Sequence, residues 1–253
     1  MTPVTPGSIP PENTENHRPH QGNHLRGGVS VESRYGIARI FWDRVFEARS
    51  DYDPASPIQS EAIEAGLDWL CQPDPAVLDF GCGTGRLLAR CLVKGARHVT
   101  GIDISEKAVK LAETEMASHG YEGKSRFIRG GVSALFDLAE DEYEGVALFG
   151  ILDSLLPDDA RLVISEVHRI LPHRGRVLLR LNPYLSRSSM EEEETYTRLD
   201  RDLYQDGNGI YLWNISEELL QELVGDKLRI LSRETVAFPE APDAGRLYRM
   251  ERI

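Results

Sequence analysis

Three glycines alternate at positions 81, 83 and 85 of the stretch VLDFGCGTGRLL, Val77 to Leu88, directly after an apolar run that carries Asp79. Glycine loses more backbone freedom on folding than any other residue, so a cluster beside such hydrophobic sequence calls for a physical reason. Glycines between a strand and a helix let the backbone approach a ligand closely, and the helix start offers unpaired N–H groups. Further along, GIDIS closes a second apolar run on Asp103, an acid placed to accept hydrogen bonds from both hydroxyls of a ribose. Such an acid serves nicotinamide dinucleotides and other nucleosides alike. A dinucleotide loop reads G-x-G-x-x-G, whereas the sixth position here is Arg86. Together the two features point to a nucleoside ligand, and the tighter glycine spacing argues against a pyrophosphate.

These residues need a frame, and the surrounding sequence supplies one. AVLDF, HVTGIDI, SRFIRG, GVALFG and GRVLLRLN read as strands. Between them RLLARCLVKGA, SEKAVKLAETEMASHG, VSALFDLAE and PDDARLVISEVHRIL read as helices, with Ser105 as a cap. Strands that are apolar on both faces, alternating with helices, indicate a parallel sheet covered on both sides. In such sheets ligands bind outside the carboxyl ends of the strands, where strand order reverses. Two helices precede this core, YGIARIFWDRVFEA and SPIQSEAIEAGLDWL, the second with Ser56 as N-cap and Pro57 at its first helical position. After Pro183 the rhythm breaks into polar sequence with a hairpin turn at Asp206 to Gly209. A helix capped by Ser216 follows, then two closing strands around LRILSRETVAF and GRLYRMERI, flanking the turn PEAPDAG. The expectation is one α/β domain over residues 35–253, a doubly wound sheet, mostly parallel with an antiparallel closing strand pair. Residues 1–34, rich in Pro, Asn, His and Gly, are expected to form a disordered tail. His17, His20 and His24 within it have no fixed geometry to hold a metal.

The formal charge of −12 argues against broad binding to nucleic acid, which rests on neutralising phosphates with Lys and Arg. Cys71, Cys82 and Cys91 form no CxxC pair, which suits reduced thiols and not a zinc site or disulfide frame. No apolar run approaches the ~20 residues that cross a bilayer, and the N-terminus lacks a signal-like apolar region. The cytoplasm is the expected compartment, without a membrane partner.

The motifs VLDFGCGTG and GIDIS, with GVALFGILDSL and VHRILPHRGRVLLRLNP after them, resemble those of the class I S-adenosylmethionine-dependent methyltransferases. The resemblance runs from about Phe41 to the C-terminus and implies a Rossmann-like fold, S-adenosyl-L-methionine as cofactor and methyl transfer as the activity. It implies that Asp79 engages the methionine amino group and that Gly81, Gly83 and Gly85 let the chain pass against the methionine and ribose. It further implies that Asp103 takes the ribose hydroxyls and Ile104 packs on adenine, with Gly131, Val132 and Phe149 completing the cofactor site. Many members carry an Asp or Asn where this chain has Gly131 and Val132, so the adenine amino group must find backbone groups here.

Methyl transfer from a sulfonium needs orientation and a dry site, and a general base only when the accepting atom must lose a proton. Asp153, after the fourth strand, is the candidate base or substrate contact, against a capping role. Tyr184 after the fifth strand is a like candidate for substrate contact or base, against a rim aromatic, and the proline of Asn182–Tyr184 reads as a turn former. His168 lies beside a buried stripe of Val163, Val167, Ile170 and Leu171, and Trp42, Trp69 and Trp213 read as core. Tyr52 is a candidate for the rim. The N-terminal helices and the insert 185–213 would form a lid that selects substrate. A small-molecule acceptor is the expected partner. The alternatives are methylation of a protein or RNA, or a non-catalytic S-adenosylmethionine-binding subunit.

Overall fold

The computed structural model describes residues 34–47, 53, 56–192 and 195–253. The expected tail up to residue 33, its three histidines and Tyr52 lie outside these residues. Two helices come first, α1 (Gly36–Glu47) and α2 (Glu61–Leu70). The core then alternates β1 (Ala76–Phe80), α3 (Arg86–Val93), β2 (His98–Asp103), α4 (Glu106–Ser118), β3 (Ser125–Arg129), β4 (Gly145–Phe149), α5 (Pro157–Ile170) and β5 (Arg176–Leu181). The C-terminal part adds α6 (Arg187–Glu192), β6 (Tyr196–Arg198), β7 (Leu203–Asp206), β8 (Tyr211–Trp213), α7 (Glu217–Val224), β9 (Leu228–Phe238) and β10 (Ala241–Arg252).

Seven strands form one sheet in the order β3-β2-β1-β4-β5-β10-β9. The first five are parallel, and β10 joins β5 antiparallel, as expected. A second sheet of three short antiparallel strands, β6-β7-β8, contains the anticipated hairpin at Asp206–Gly209.

Every residue of β1 is buried, which is why its sequence reads as a continuous apolar run. Its side chains alternate between two layers. Leu78 and Phe80 pack with Val163, Val167 and Ile170 of α5 on one face. Val77 packs with Leu67 and Leu70 of α2 and Leu88 and Cys91 of α3 on the other. Complete burial of each such aliphatic residue stabilises by about 1.5–3 kcal/mol, so these two layers fix where the carboxyl ends of the strands lie.

Two local expectations are corrected. The helix expected to start at Ser56 and Pro57 starts at Glu61, with extended Ser60 (φ −148°, ψ 115°) preceding it. The Ile58 N–H is taken by Glu64 Oε1 at 2.8 Å, and Ser60 N–H by Ile58 O at 2.7 Å, which holds this stretch in a turn. The closing turn is also tighter than PEAPDAG suggests. Strand pairing resumes with Phe238 opposite Ala241, leaving Pro239 and Glu240 as the turn and the next residues as an irregularity inside β10.

Candidate active site

β1 has β2 on one side and β4 on the other, so the strand order reverses there. The carboxyl ends of β1 and β4 splay around a cleft with ≈ 830 Å³ of empty space, its open mouth included. Gly81, Gly83, Phe80, Asp103 and Ile104 line it on the β1–β2 side, and Phe149, Gly150 and Ile151 on the β4 side. Gly130, Gly131 and Val132 line it beyond β3.

The glycine loop has the backbone its sequence demands. Gly81, Gly83 and Gly85 have φ of +85°, +53° and +78°, a region that L side chains rarely enter. The N–H groups of Gly81 and Cys82 both donate to Ile102 O, at 2.8 and 3.1 Å, which straps the loop to β2. Asp103 completes the strap. Its Oδ2 accepts from the Gly83 N–H and its Oδ1 from the Ser105 N–H, both at 2.8 Å. Each carboxylate oxygen keeps a lone pair, and the side chain still borders the cleft. Burial pushes this carboxyl up, with the two N–H donors opposing.

Asp79 lies below the loop, 2% exposed, and does not line the cleft wall. Its Oδ1 is sealed from solvent without a hydrogen-bond partner. Burial, and then the charge of Asp103, push its carboxyl up to about 8. An unpartnered buried carboxylate is costly, and a cation or N–H donor placed against it would relieve that cost.

Gly85 does not face the cleft. A Cβ there would meet Ala112 of α4 and Phe127 of β3 at 3.2 Å, so this glycine permits helix and strand to pack closely at the start of α3. Asp153 is likewise absent from the lining. It is 2% exposed, and its Oδ2 accepts from the Asn182 N–H at 2.7 Å, bracing the end of β5 against the turn after β4. Burial raises its carboxyl, and its Oδ1 has no partner. Tyr184 borders a separate polar hollow with Arg246 and Glu217, away from the cleft. Trp213 is core and Trp69 packs against a core cluster while facing Arg176, but Trp42 lines the cleft, contrary to the sequence expectation.

Trp42 gets there because α1 crosses the mouth. At its start Tyr35 Oη donates to Asp159 Oδ2 at 2.7 Å and accepts from the Leu156 N–H at 3.0 Å. Arg34 pairs with the same Asp159 at 3.1 Å. Further along, Asp43 Oδ1 accepts from Ser105 Oγ at 2.7 Å. Burial alone would raise Asp43, but the Ser105 and Lys107 donors outweigh it and hold the carboxyl below its usual range. One helix is thus tied to the starts of both α4 and α5, on opposite sides of the cleft. It lays a Trp42–Phe46 stack, centroids 5.8 Å apart, over the loop, with the Phe46 ring 3.3 Å from where a Gly83 Cβ would stand. Ile210, from the β7–β8 turn, adds the last part of the rim, and Tyr211 packs edge-on against Tyr35. The expected lid role of the N-terminal helices pointed to this region, but beyond the apolar spacing of α1 nothing in the sequence marks these particular contacts.

Residues 77–175 match a family model described as a methyltransferase domain. An O-methyltransferase of ubiquinone biosynthesis from Dechloromonas aromatica is 31% identical over 147 residues, 56% of this chain and 58% of that protein. Protein arginine N-methyltransferase 1 of Schizosaccharomyces pombe is 38% identical over 114 residues, 42% of this chain and 33% of that protein. The chain spans 29–58% of the length of the first curated relatives it matches. Among solved structures, the 1,6-didemethyltoxoflavin-N1-methyltransferase of Burkholderia thailandensis has the same fold. Its TM-score is 0.67 at 20% identity, over 89% of this chain and 91% of that one.

Proposed function

We propose that this chain, whose residues 77–175 match a methyltransferase-domain model, is a class I S-adenosylmethionine-dependent methyltransferase that transfers a methyl group to a small molecule. The observation that carries the reading is a glycine loop and a ribose-competent acid sharing one wall of an apolar cleft at the switch point of the sheet. The residues present fit such a cofactor. The buried Asp79 Oδ1 has no partner, and the cofactor's ammonium group, directly or through water, supplies the missing donor. Gly81 and Gly83 leave out the Cβ atoms that would stand between backbone and ligand. Asp103 has the lone pairs for two hydroxyls, and Ile104 and Val132 offer apolar surface to adenine.

When bound, the cofactor supplies an electrophilic methyl group on sulfur for in-line displacement. The chain's own work is positioning and exclusion of water. Helix α1, held at Asp159 and Ser105, closes aromatic surface over the site. Its Trp42, with Tyr35, Leu155 and Ile210, leaves a narrow, mostly apolar space for the acceptor, which suits a small molecule better than an extended chain. Asp153 acts in this reading as a brace for β5, because its Oδ2 holds the Asn182 N–H and the side chain does not line the cleft.

The acceptor class is open to direct test. Purified protein is incubated with S-adenosylmethionine labelled on the methyl group and three acceptor pools, small metabolites, proteins and RNA. Label passing to the small-molecule pool supports the reading. Label passing only to protein or RNA, or to none while the cofactor stays bound, contradicts it.

A further inference from the structure

A half-buried cation stands behind the β4 end of the cleft with almost none of its hydrogen-bonding capacity used. Arg180, in β5, pairs in register with Phe149 of β4, and its carbonyl accepts from the Gly150 N–H at 3.0 Å. A guanidinium carries five N–H donors. Arg180 makes one side-chain hydrogen bond, from Nη2 to Ala244 O. Among the described residues its Nε is sealed from solvent without a partner, and no carboxylate lies within ion-pair distance.

Other arginines that serve structure in this molecule look different. Arg169 donates from all three nitrogens, to Glu166 and to the carbonyls of Leu138 and Leu135. Arg246 also engages all three, with Asn182 O, Glu217, Tyr248 and Ile215 O. Arg34, Arg249 and Arg252 also leave Nε without a partner, yet each is paired with a carboxylate, so Arg180, with none among the described residues, needs an explanation. Asp153, whose charge acts on Arg180 from beyond ion-pair distance, is itself raised by burial and bonded to Asn182.

The geometry beside the cleft supplies the link. Gly150 lines the cleft with φ +64°, and Arg180 Nη1, 3.7 Å away, is the one heavy atom within 4 Å of where its Cβ would stand. Arg180 does not itself line the cleft, but with glycine at 150 no side chain of that residue stands between the cleft wall and the guanidinium. We propose that Arg180 is a specificity-determining residue that binds an anionic group, a carboxylate or a phosphate, on the methyl acceptor. This rests on the cleft being the methyl-transfer site. Charge-assisted bonds to a guanidinium are strong in partly desolvated surroundings, so an acceptor with its anion there gains both affinity and a fixed orientation over the site.

The test uses the full chain saturated with S-adenosylhomocysteine and three probes of similar size, benzoate, phenyl phosphate and benzamide, followed by ligand-observed NMR. At least one anion is expected to bind tenfold or more tightly than benzamide, and the better of the two identifies the group. Arg180→Gln is expected to erase that preference and Arg180→Lys to keep part of it, with S-adenosylhomocysteine retained by both variants as proof of folding. Anions that bind no better than benzamide, or a preference that survives Arg180→Gln, overturn the proposal while the cofactor reading stands. Failure of the wild-type chain to retain S-adenosylhomocysteine overturns both.

Discussion

Asp79 couples cofactor binding to pH. In the ligand-free chain its carboxyl titrates near 8, raised by burial and by the charge of Asp103. A group with that value is ionised in roughly one molecule in eleven at pH 7 and about one in a hundred at pH 6. If the cofactor's ammonium pairs with the carboxylate, the bound state favours the ionised form, so binding must expel the proton. The sign follows directly: affinity rises as pH rises, by about tenfold between pH 6 and 7, and levels near pH 8 as the cofactor's own amino group begins to deprotonate. At pH 7 close to one proton leaves per ligand bound. Titration calorimetry of S-adenosylhomocysteine in phosphate and in Tris, which differ in ionisation enthalpy, counts that proton. Asp79→Asn should bind about tenfold more weakly at pH 7.5, release no proton and show a flat profile between pH 6 and 7. A wild-type affinity that does not change across that interval, with equal heats in both buffers, refutes the pairing.

Other perturbations address separate parts of the site. The same carboxyl destabilises the ligand-free chain as pH rises. Its unfolded value lies near 3.8, so the native state holds the extra proton between about pH 4 and 8, and that advantage is gone above 8; thermal melts of wild type should fall relative to Asp79→Asn across this window. Asp103→Ala should weaken cofactor binding more than tenfold and also cost about 2 kcal/mol of stability, since two N–H groups lose their acceptor; calorimetry and denaturant unfolding read the two effects. Gly83→Val should abolish binding, because its backbone lies at φ +53° and its Cβ would press on the Phe46 ring, and retained binding would count against the close approach. Tyr35→Phe removes one of the two groups holding Asp159 and the acceptor of Leu156 N–H, so cofactor release measured by stopped flow should quicken several-fold.

The parts of this architecture that were legible in the sequence are those set by local pattern. Buried parallel strands must be apolar on both faces, so β1 to β5 and the helices α3, α4 and α5 could be read, as could the loop whose glycines need positive φ; the helix expected over VSALFDLAE is only a short 3-10 turn, Val132–Asp137. Cleft contacts made across long sequence distances could not. Gly85 looks like its two neighbours in the sequence, yet Phe127 and Ala112 decide that it serves packing. Asp153 follows the fourth strand as a substrate contact might, but the register of β5 delivers the Asn182 N–H to it first. Trp42 belongs to the cleft only because α1 is tied at both ends by Asp159 and Ser105, partners about 60 to 120 residues away in the chain. The start of α2 moved for a similar reason, since Glu64 reaches back to Ile58 while also holding Arg90.

Equilibrium dialysis of the purified chain against labelled S-adenosylmethionine addresses the cleft assignment most directly. Retention of one equivalent per chain, displaced by S-adenosylhomocysteine and lost in Gly83→Val, is the expected result. No retention by folded protein, or retention unchanged in Gly83→Val, would contradict the assignment of the cofactor to the loop between β1 and α3.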